Sequence, residues 1–253
     1  MNVRRMLILA LVAWAGTAAA AQWPNRPVPG TPRLPDGMPD LSAPAPRGTD
    51  GKPVISGVWM PTGGYIGNIA RDLPDVPFQP WARELYLKRR ANESKDDPTG
   101  RCMVGGVPRN DVVPYPFKIY QQSGVTLILY EAVHSYRQIF SDGREIPSNP
   151  NPAWLGYSVG KWDGNDFVVT TSGFNDEVWL DNNGHPATGQ LRVTERFRRK
   201  DFGHMDIEIT IDDPKAYTRP WTVTLPFKLL PDSELIEYMC NENNKDLEHM
   251  VGK

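Results

Sequence analysis

The densest polar chemistry in the chain lies in Gly173–Pro186, GFNDEVWLDNNGHP. There Asn175, Asp176, Glu177, Trp179, Asp181, Asn182, Asn183 and His185 crowd into one connection between two strand-like stretches. Carboxylates, carboxamides and an imidazole around an indole are groups that can grip a small ligand. Trp179 would cover it, with Asn175, Asp176, Asp181 and His185 around it. Such a loop is most useful at a barrel mouth, where it stands above an apolar cavity. The structural alternative is a run of Asx turns with Trp179 packed down as a plug. Both readings stay open at this point.

A second group sits in segments of period two. Over 190–200, Glu195 shares a face with Leu191, Val193 and Phe197, while Arg192, Thr194, Arg196, Arg198 and Lys200 take the other. A carboxylate among apolar neighbours must be paired or keep its proton. A raised carboxyl is a usable acid or base, whereas a buried salt bridge is the structural alternative.

Segment 125–140 offers the partners. Glu131 and Arg137 share parity with Leu127, Leu129, Val133 and Ile139; His134 falls on the opposite face with Ile128, Tyr130, Ala132, Tyr136 and Phe140. The candidate catalytic set is therefore Glu195, His134 and Glu131. Arg137 would hold an anionic group, and Tyr136 would add an aromatic contact to the ligand. A core histidine bound by hydrogen bonds is the plainer reading of His134.

Other chemistries find no support. The chain has no H-x-H, no H-E-x-x-H and no calcium loop, so no metal site is expected. A phosphate loop, a dinucleotide glycine pattern and a G-x-S-x-G elbow are missing as well, so any activity should be cofactor-free.

These side chains need elements to hold them. Pro80 followed by WARELYLKRRANE predicts a helix over about 80–93, with a basic last turn. Residues 94–116 read as an irregular loop. Strands are expected at 54–60, 117–122, 125–133, 135–141, 155–162, 165–173, 190–200, 205–212, 221–230 and 234–240, punctuated by turns such as Ser123-Gly124, Asp142-Gly143 and Asp163-Gly164. Sequential strands on short loops make an antiparallel up-and-down meander of about eight to ten strands. With one helix, such a meander most simply closes into a lipocalin-like barrel. The G-x-W spacing of SGVWM at 56–60 resembles the first lipocalin strand.

Ahead of the barrel, residues 22–56 are rich in proline and glycine, and D-G-x-P recurs at 36–39 and 50–53. Proline at this density forbids helix and interrupts ladders. An extended segment lying along the barrel is expected; a duplicated binding motif is the alternative.

The start of the chain carries Arg4-Arg5, an apolar run from about Met6 to Ala15, and small residues at Ala19–Ala21. This is the pattern of a secretory signal peptide cut after Ala21. The organisation expected is thus 1–21 signal, 22–56 extended segment and 57–253 a single barrel domain, periplasmic or secreted. Removing the signal leaves 26 basic against 30 acidic residues, a balance that argues against nucleic acid as a partner. No later stretch is long and apolar enough for a transmembrane segment in the mature protein. In an oxidising compartment Cys102 and Cys240 would form a disulfide, although a reactive thiol or half a metal site remains an alternative.

Several stretches together resemble a known group: HSYRQIFSDGREIP, NPAWLGYSVGKWDGNDFVV, GFNDEVWLD, LRVTERFRR, IDDPKAYTRPWTV and CNENNKDLEHMVGK. The chain resembles, over nearly all of its mature length, a large family of exported bacterial proteins of acidobacteria and proteobacteria. That resemblance implies export and transfers no activity. Where the family has Pro-His-Ser or Pro-His-Thr after the polar loop, this chain has Pro186-Ala187-Thr188. Any role of that histidine is open here unless neighbouring His185 takes it over.

Two functions of different class follow. One is a periplasmic barrel that binds a hydrophobic or aromatic small molecule. The other is a cofactor-free acid–base enzyme, an isomerase, hydratase/dehydratase or lyase, using Glu195 with His134. An envelope assembly factor, docking a partner through its proline-rich segment, is a third. The oligomeric state is not legible.

Overall fold

The computed structural model describes residues 27–242; the signal-peptide reading falls outside the described residues. Nine strands close into a barrel in sequence order: β1 (Gly57–Pro61), β2 (Phe117–Gln122), β3 (Val125–Tyr130), β4 (Ser135–Phe140), β5 (Tyr157–Asp163), β6 (Asp166–Ser172), β7 (Arg192–Arg199), β8 (His204–Asp212) and β9 (Trp221–Leu229). Closure comes from antiparallel pairing of β9 with β1.

The expected meander is antiparallel everywhere except between β4 and β5, which pair in parallel through Ile139↔Ser158 and Phe140↔Val159. Topology requires such an exception. Nine strands that alternate direction strictly would bring β1 and β9 together in parallel. One parallel step restores an antiparallel seam. The long connection 141–156 makes that step by carrying the chain back along the outside of the wall.

Parity sorts most strands as expected. Met205, Ile207, Ile209 and Ile211 of β8 and Trp221, Val223, Leu225, Phe227 and Leu229 of β9 are buried, with their intervening residues half-buried or exposed. Gly160 of β5 makes room for the core: a Cβ there would lie 2.4 Å from Phe167 Cζ and 2.9 Å from Ile139 Cγ2.

The segment 125–140 departs from the expectation. Thr126, Ile128 and Tyr130 are buried on β3, and Arg137 and Ile139 on β4, so the inward parity changes between the two strands. The cause is the loop length. Tyr130 pairs with Ser135 and Ile128 with Arg137, leaving the four residues 131–134 as the turn. An even-numbered loop sets even residues opposite odd ones. Residues 132–134 form a 3₁₀ turn that ends with His134 at φ 41°. Residues 131–133 are therefore not strand.

The first helix, α1 (Pro80–Ala91), begins with proline at N1 and ends with Lys88, Arg89 and Arg90 against its C-terminal dipole. Ala82, Leu85, Tyr86 and Arg89, spaced i, i+3, i+4, i+7, form its more buried side. A single turn, α2 (Arg109–Val112), is buried throughout. Both lie at the end of the barrel where β2, β4, β5, β7 and β9 begin. The expected strand 234–240 is not formed. That segment is irregular and is held by a backbone bond from Ile236 N–H to Glu131 Oε2, 3.0 Å, and by the Cys102–Cys240 disulfide.

The proline-rich segment closes the opposite end with the same turn made twice. Arg33 and Arg47 each donate to the carbonyl of the glycine four residues on, Gly37 and Gly51. Asp36 and Asp50 each accept the N–H two residues on, and Arg33↔Pro39 and Arg47↔Pro53 are matching bridges. The D-G-x-P echo is thus a repeated structural turn. Arg33 reaches Asp232 with two bonds of 2.7 Å, and Arg47 reaches Asn165 at 3.1 Å. Leu41 packs on Gly203, where a Cβ would lie only 2.4 Å from Leu41 Cβ.

Candidate functional site

The barrel interior holds one polar cluster, built where four strands bring short or charged side chains to the same level. Arg137 of β4 donates from Nη1 to Glu195 Oε1 of β7 at 3.0 Å and from Nη2 to Glu195 Oε2. Its Nε reaches Ser158 Oγ of β5 at 3.0 Å, and Nη2 also reaches Thr171 Oγ1 of β6 at 2.7 Å. Ser158 and Thr171 bond each other at 2.9 Å. Register places them together: Ile139↔Ser158, Ser158↔Thr171 and Val169↔Glu195 are paired positions.

Asp111 enters from above on α2. Its Oδ1 accepts the Tyr130 hydroxyl at 2.7 Å, while Oδ2 is buried without a hydrogen-bond partner, 3.9 Å from Arg137 Nη1. Two carboxyl groups therefore share one guanidinium. Burial, reinforced by the nearby Glu195 charge and opposed by Arg137, pushes the Asp111 carboxyl up to about 8. Burial disfavours the Arg137 cation, but Glu195 outweighs it and holds the guanidinium charged. Asp111 is thus the carboxyl of this cluster that favours holding its proton. The cluster is an acid–base arrangement sealed in a packed core.

Glu195 and Arg137 thus meet inside the barrel, as parity and the need for a partner predicted. The rest of the candidate catalytic set does not join them. His134 is exposed on the β3–β4 turn, because the turn begins where a continued strand was expected. Glu131 sits just beyond β3 and is occupied with the C-terminal segment. Tyr136 points outward at 62% exposure, since the even residues of β4 face solvent.

The loop after β6 is a plug. Trp179 is buried under the Arg89 guanidinium, 3.9 Å above the ring. Asp181 is fully buried and accepts from Ile69 N–H, 2.8 Å, and His185 N–H, 3.2 Å, with its Oδ2 2.6 Å from His185 Nδ1. The His185 ring stacks on Phe78 at 5.5 Å and meets the tilted Tyr86 ring at 4.4 Å. Asn175 and Asp176 cap the loop's own backbone at Glu177 N–H and Gly189 N–H. These residues close the barrel mouth; they do not present polar groups to an apolar cavity beneath it.

Among the described residues three pockets outside the barrel wall stand out. The largest, about 1400 Å³, runs between the 143–152 connection and the outer faces of β5 and β6; Asn175 and Asp176 touch its edge. It is an open groove carrying both charge signs, Arg144, Lys161 and Arg192 against Glu145, Asp176 and Glu177. A cleft of about 360 Å³ separates α1 from Trp179 and Asp176.

The third, about 320 Å³, lies between the proline-rich segment and the strands at the closed end. Val28, Pro29, Val58, Phe202, Leu229 and Leu230 supply apolar lining. Arg199 lines it too, with only 7% of its surface exposed. Its guanidinium donates to the backbone carbonyls of Asp201, Val54 and Phe202 and lies 5.2 Å from the Trp59 ring centroid. Burial lowers its pKa to about 10, against a small opposing pull from Asp201.

Asp111 and Arg199 escaped the sequence reading for different reasons. Asp111 stands in an aperiodic loop, where no pattern marks the face of a side chain. Arg199 shares the inward parity of Glu195, a signal that was available in the strand itself.

Among the described residues no three histidine, cysteine, aspartate or glutamate side chains converge as a metal site, and no helix is long and apolar enough to cross a membrane. No family model matches the chain, and no curated protein does. Among solved structures, a luciferase domain from the dinoflagellate Lingulodinium polyedrum is similar at 12% identity. The match covers 92% of this chain and 65% of that one, with a TM-score of 0.31.

Proposed function

We propose that this chain is an exported, periplasmic member of the bacterial family it resembles, and that it binds a small hydrophobic molecule. The binding site in this reading is the cleft at the closed end of the barrel. One observation carries it: a cleft of about 320 Å³ is walled mainly by apolar side chains under a proline-rich cover. Small-molecule sites are concave, mostly apolar and furnished with a few polar groups, and their volumes begin near about 300 Å³. The 1400 Å³ groove is larger but is open and edged by charges of both signs.

This reading moves the ligand from the barrel mouth, where the plug loop stands, to the far end. The proline-rich segment then serves as the wall of a site, which removes the main support for an assembly factor. The test is calorimetric titration of the mature protein with octanol and octanoate, beside a Thr31→Trp variant. Thr31 lines the cleft on the cover segment and is half-buried, so an indole there fills the space with little cost to the core. Saturable binding that Thr31→Trp abolishes supports the reading. Binding that survives the substitution places the site elsewhere.

A second reading, acid–base catalysis at Asp111 and Glu195, has the raised Asp111 carboxyl in its favour. The packing of the barrel around the pair stands against it, since a substrate would have to displace α2.

A further inference from the structure

We infer that the molecule bound at the closed end carries a carboxylate, and that Arg199 is its counterion. This rests on the proposed cleft and adds the chemical class of its occupant. A buried cation is costly to hold unless something negative faces it. Three other buried or half-buried arginines have carboxylates, Arg137 with Glu195, Arg109 with Asp97 and Arg33 with Asp232, while half-buried Arg89 donates to the Gly184 carbonyl and covers the Trp179 ring in the plug, away from this cleft. Among the described residues no carboxylate pairs with Arg199, and its three observed bonds go to neutral carbonyls.

A guanidinium has five N–H donors, so three bonds leave two for a ligand. The nearest acid, Asp201, is committed to His204 and to the turn backbone of Gly203 and His204. Of the other charged groups lining the cleft, Lys118 is already paired with Glu234, which leaves Arg199 as the unbalanced charge. The lowered pKa of Arg199 agrees with this, since a buried guanidinium with a carboxylate against it would be pushed the other way.

The occupant therefore needs one anionic end of carboxylate size and an apolar body that fits against Val58, Leu229 and Leu230. Apolar carboxylates, aliphatic or aromatic, meet both demands. Arg199 would bind the head by two charge-assisted N–H···O bonds, with Trp59 and Phe202 flanking the guanidinium.

Octanoate, octanol and octylammonium, titrated calorimetrically into the full mature chain, separate the possibilities. Octanoate should bind about ten- to a hundred-fold more tightly than octanol, the range expected for hydrogen bonds to a charged group. Arg199→Lys should keep the preference, and Arg199→Met should erase it. Because Arg199 also ties three carbonyls, the wild-type ligand series decides alone if Arg199→Met does not fold. Equal binding of octanoate and octanol would overturn the inference while leaving the cleft as the site. Tightest binding of octylammonium would overturn it in favour of Glu234. If none of the three binds, the proposed cleft itself fails, and the inference with it.

Discussion

Replacing Glu195 with glutamine tests the interior cluster, because it keeps the shape and removes one charge. In the native barrel Arg137 is held by both Glu195 oxygens, and neither side chain reaches solvent. Glu195→Gln leaves a buried guanidinium without its principal carboxylate, and breaking a buried pair costs about 3–5 kcal/mol. For a domain of this size each kcal/mol moves Tm by about 2–4 °C, so a fall of roughly 6–20 °C is expected.

A second effect follows from Asp111. Its carboxyl stays protonated up to about 8 partly because Glu195 is charged beside it. With that charge gone, Arg137 should draw the Asp111 proton off and take Asp111 as its new partner. In the wild type, the folded state binds this proton and the unfolded state, with an ordinary aspartate near 4, does not. Stability is then fully present below about pH 4 and falls as pH rises to about 8, by about 1.4 kcal/mol per pH unit. In Glu195→Gln that slope should flatten. Chemical denaturation at pH 5, 6, 7 and 8, with both proteins, reads both effects. Because Asp111 takes over as the partner of Arg137, the loss should be largest at pH 5 and shrink toward pH 8; an unchanged slope would refute the reasoning.

Asp111→Asn should abolish the slope from the other side: the amide keeps an acceptor for Tyr130 and has no proton to release, so the variant gains on the wild type as pH rises from 5 to 8. Urea midpoints across that range check it. Asp181→Ala strips the acceptor from Ile69 N–H and His185 N–H and should cost at least about 2 kcal/mol, read by thermal unfolding. Converting both Cys102 and Cys240 to serine opens a link spanning 138 positions and should cost about 4–5 kcal/mol by the chain-entropy account, measured by urea unfolding against the oxidised protein.

The wall of the barrel was legible because period two is a local property. Strands β6 to β9 alternate so regularly that their inner faces, including the position of Glu195, follow from parity alone. The pairing of Glu195 with Arg137 followed from the cost of an isolated buried charge. What parity could not supply was the count of residues in a turn. The four-residue loop 131–134 reverses the face of β4 relative to β3, so treating 125–140 as a single frame placed His134 and Tyr136 wrongly together with core residues.

Closure carried a second hidden constraint. An odd number of strands needs one parallel step, and the 141–156 connection makes it. The polar loop was ambiguous in the sequence because the groups that bind a ligand also cap turns. Asn175, Asp176 and Asp181 spend their oxygens on backbone N–H groups, and Trp179 is covered by an arginine 90 positions away. Arg89 gave no hint of that role within its own helix. The D-G-x-P echo was visible, but its meaning as a twice-used turn depended on Arg33 and Arg47, each three residues before the aspartate.

Backbone chemical-shift mapping of the mature protein during an octanoate titration tests the central claim most directly. The account predicts saturable shifts confined to the closed end, at Thr31, Val58, Lys118, Arg199, Phe202 and Leu229, with the strand positions around Glu195 and Arg137 unmoved. Shifts centred on those interior positions, or along the outer groove at Lys161 and Thr170, would contradict it.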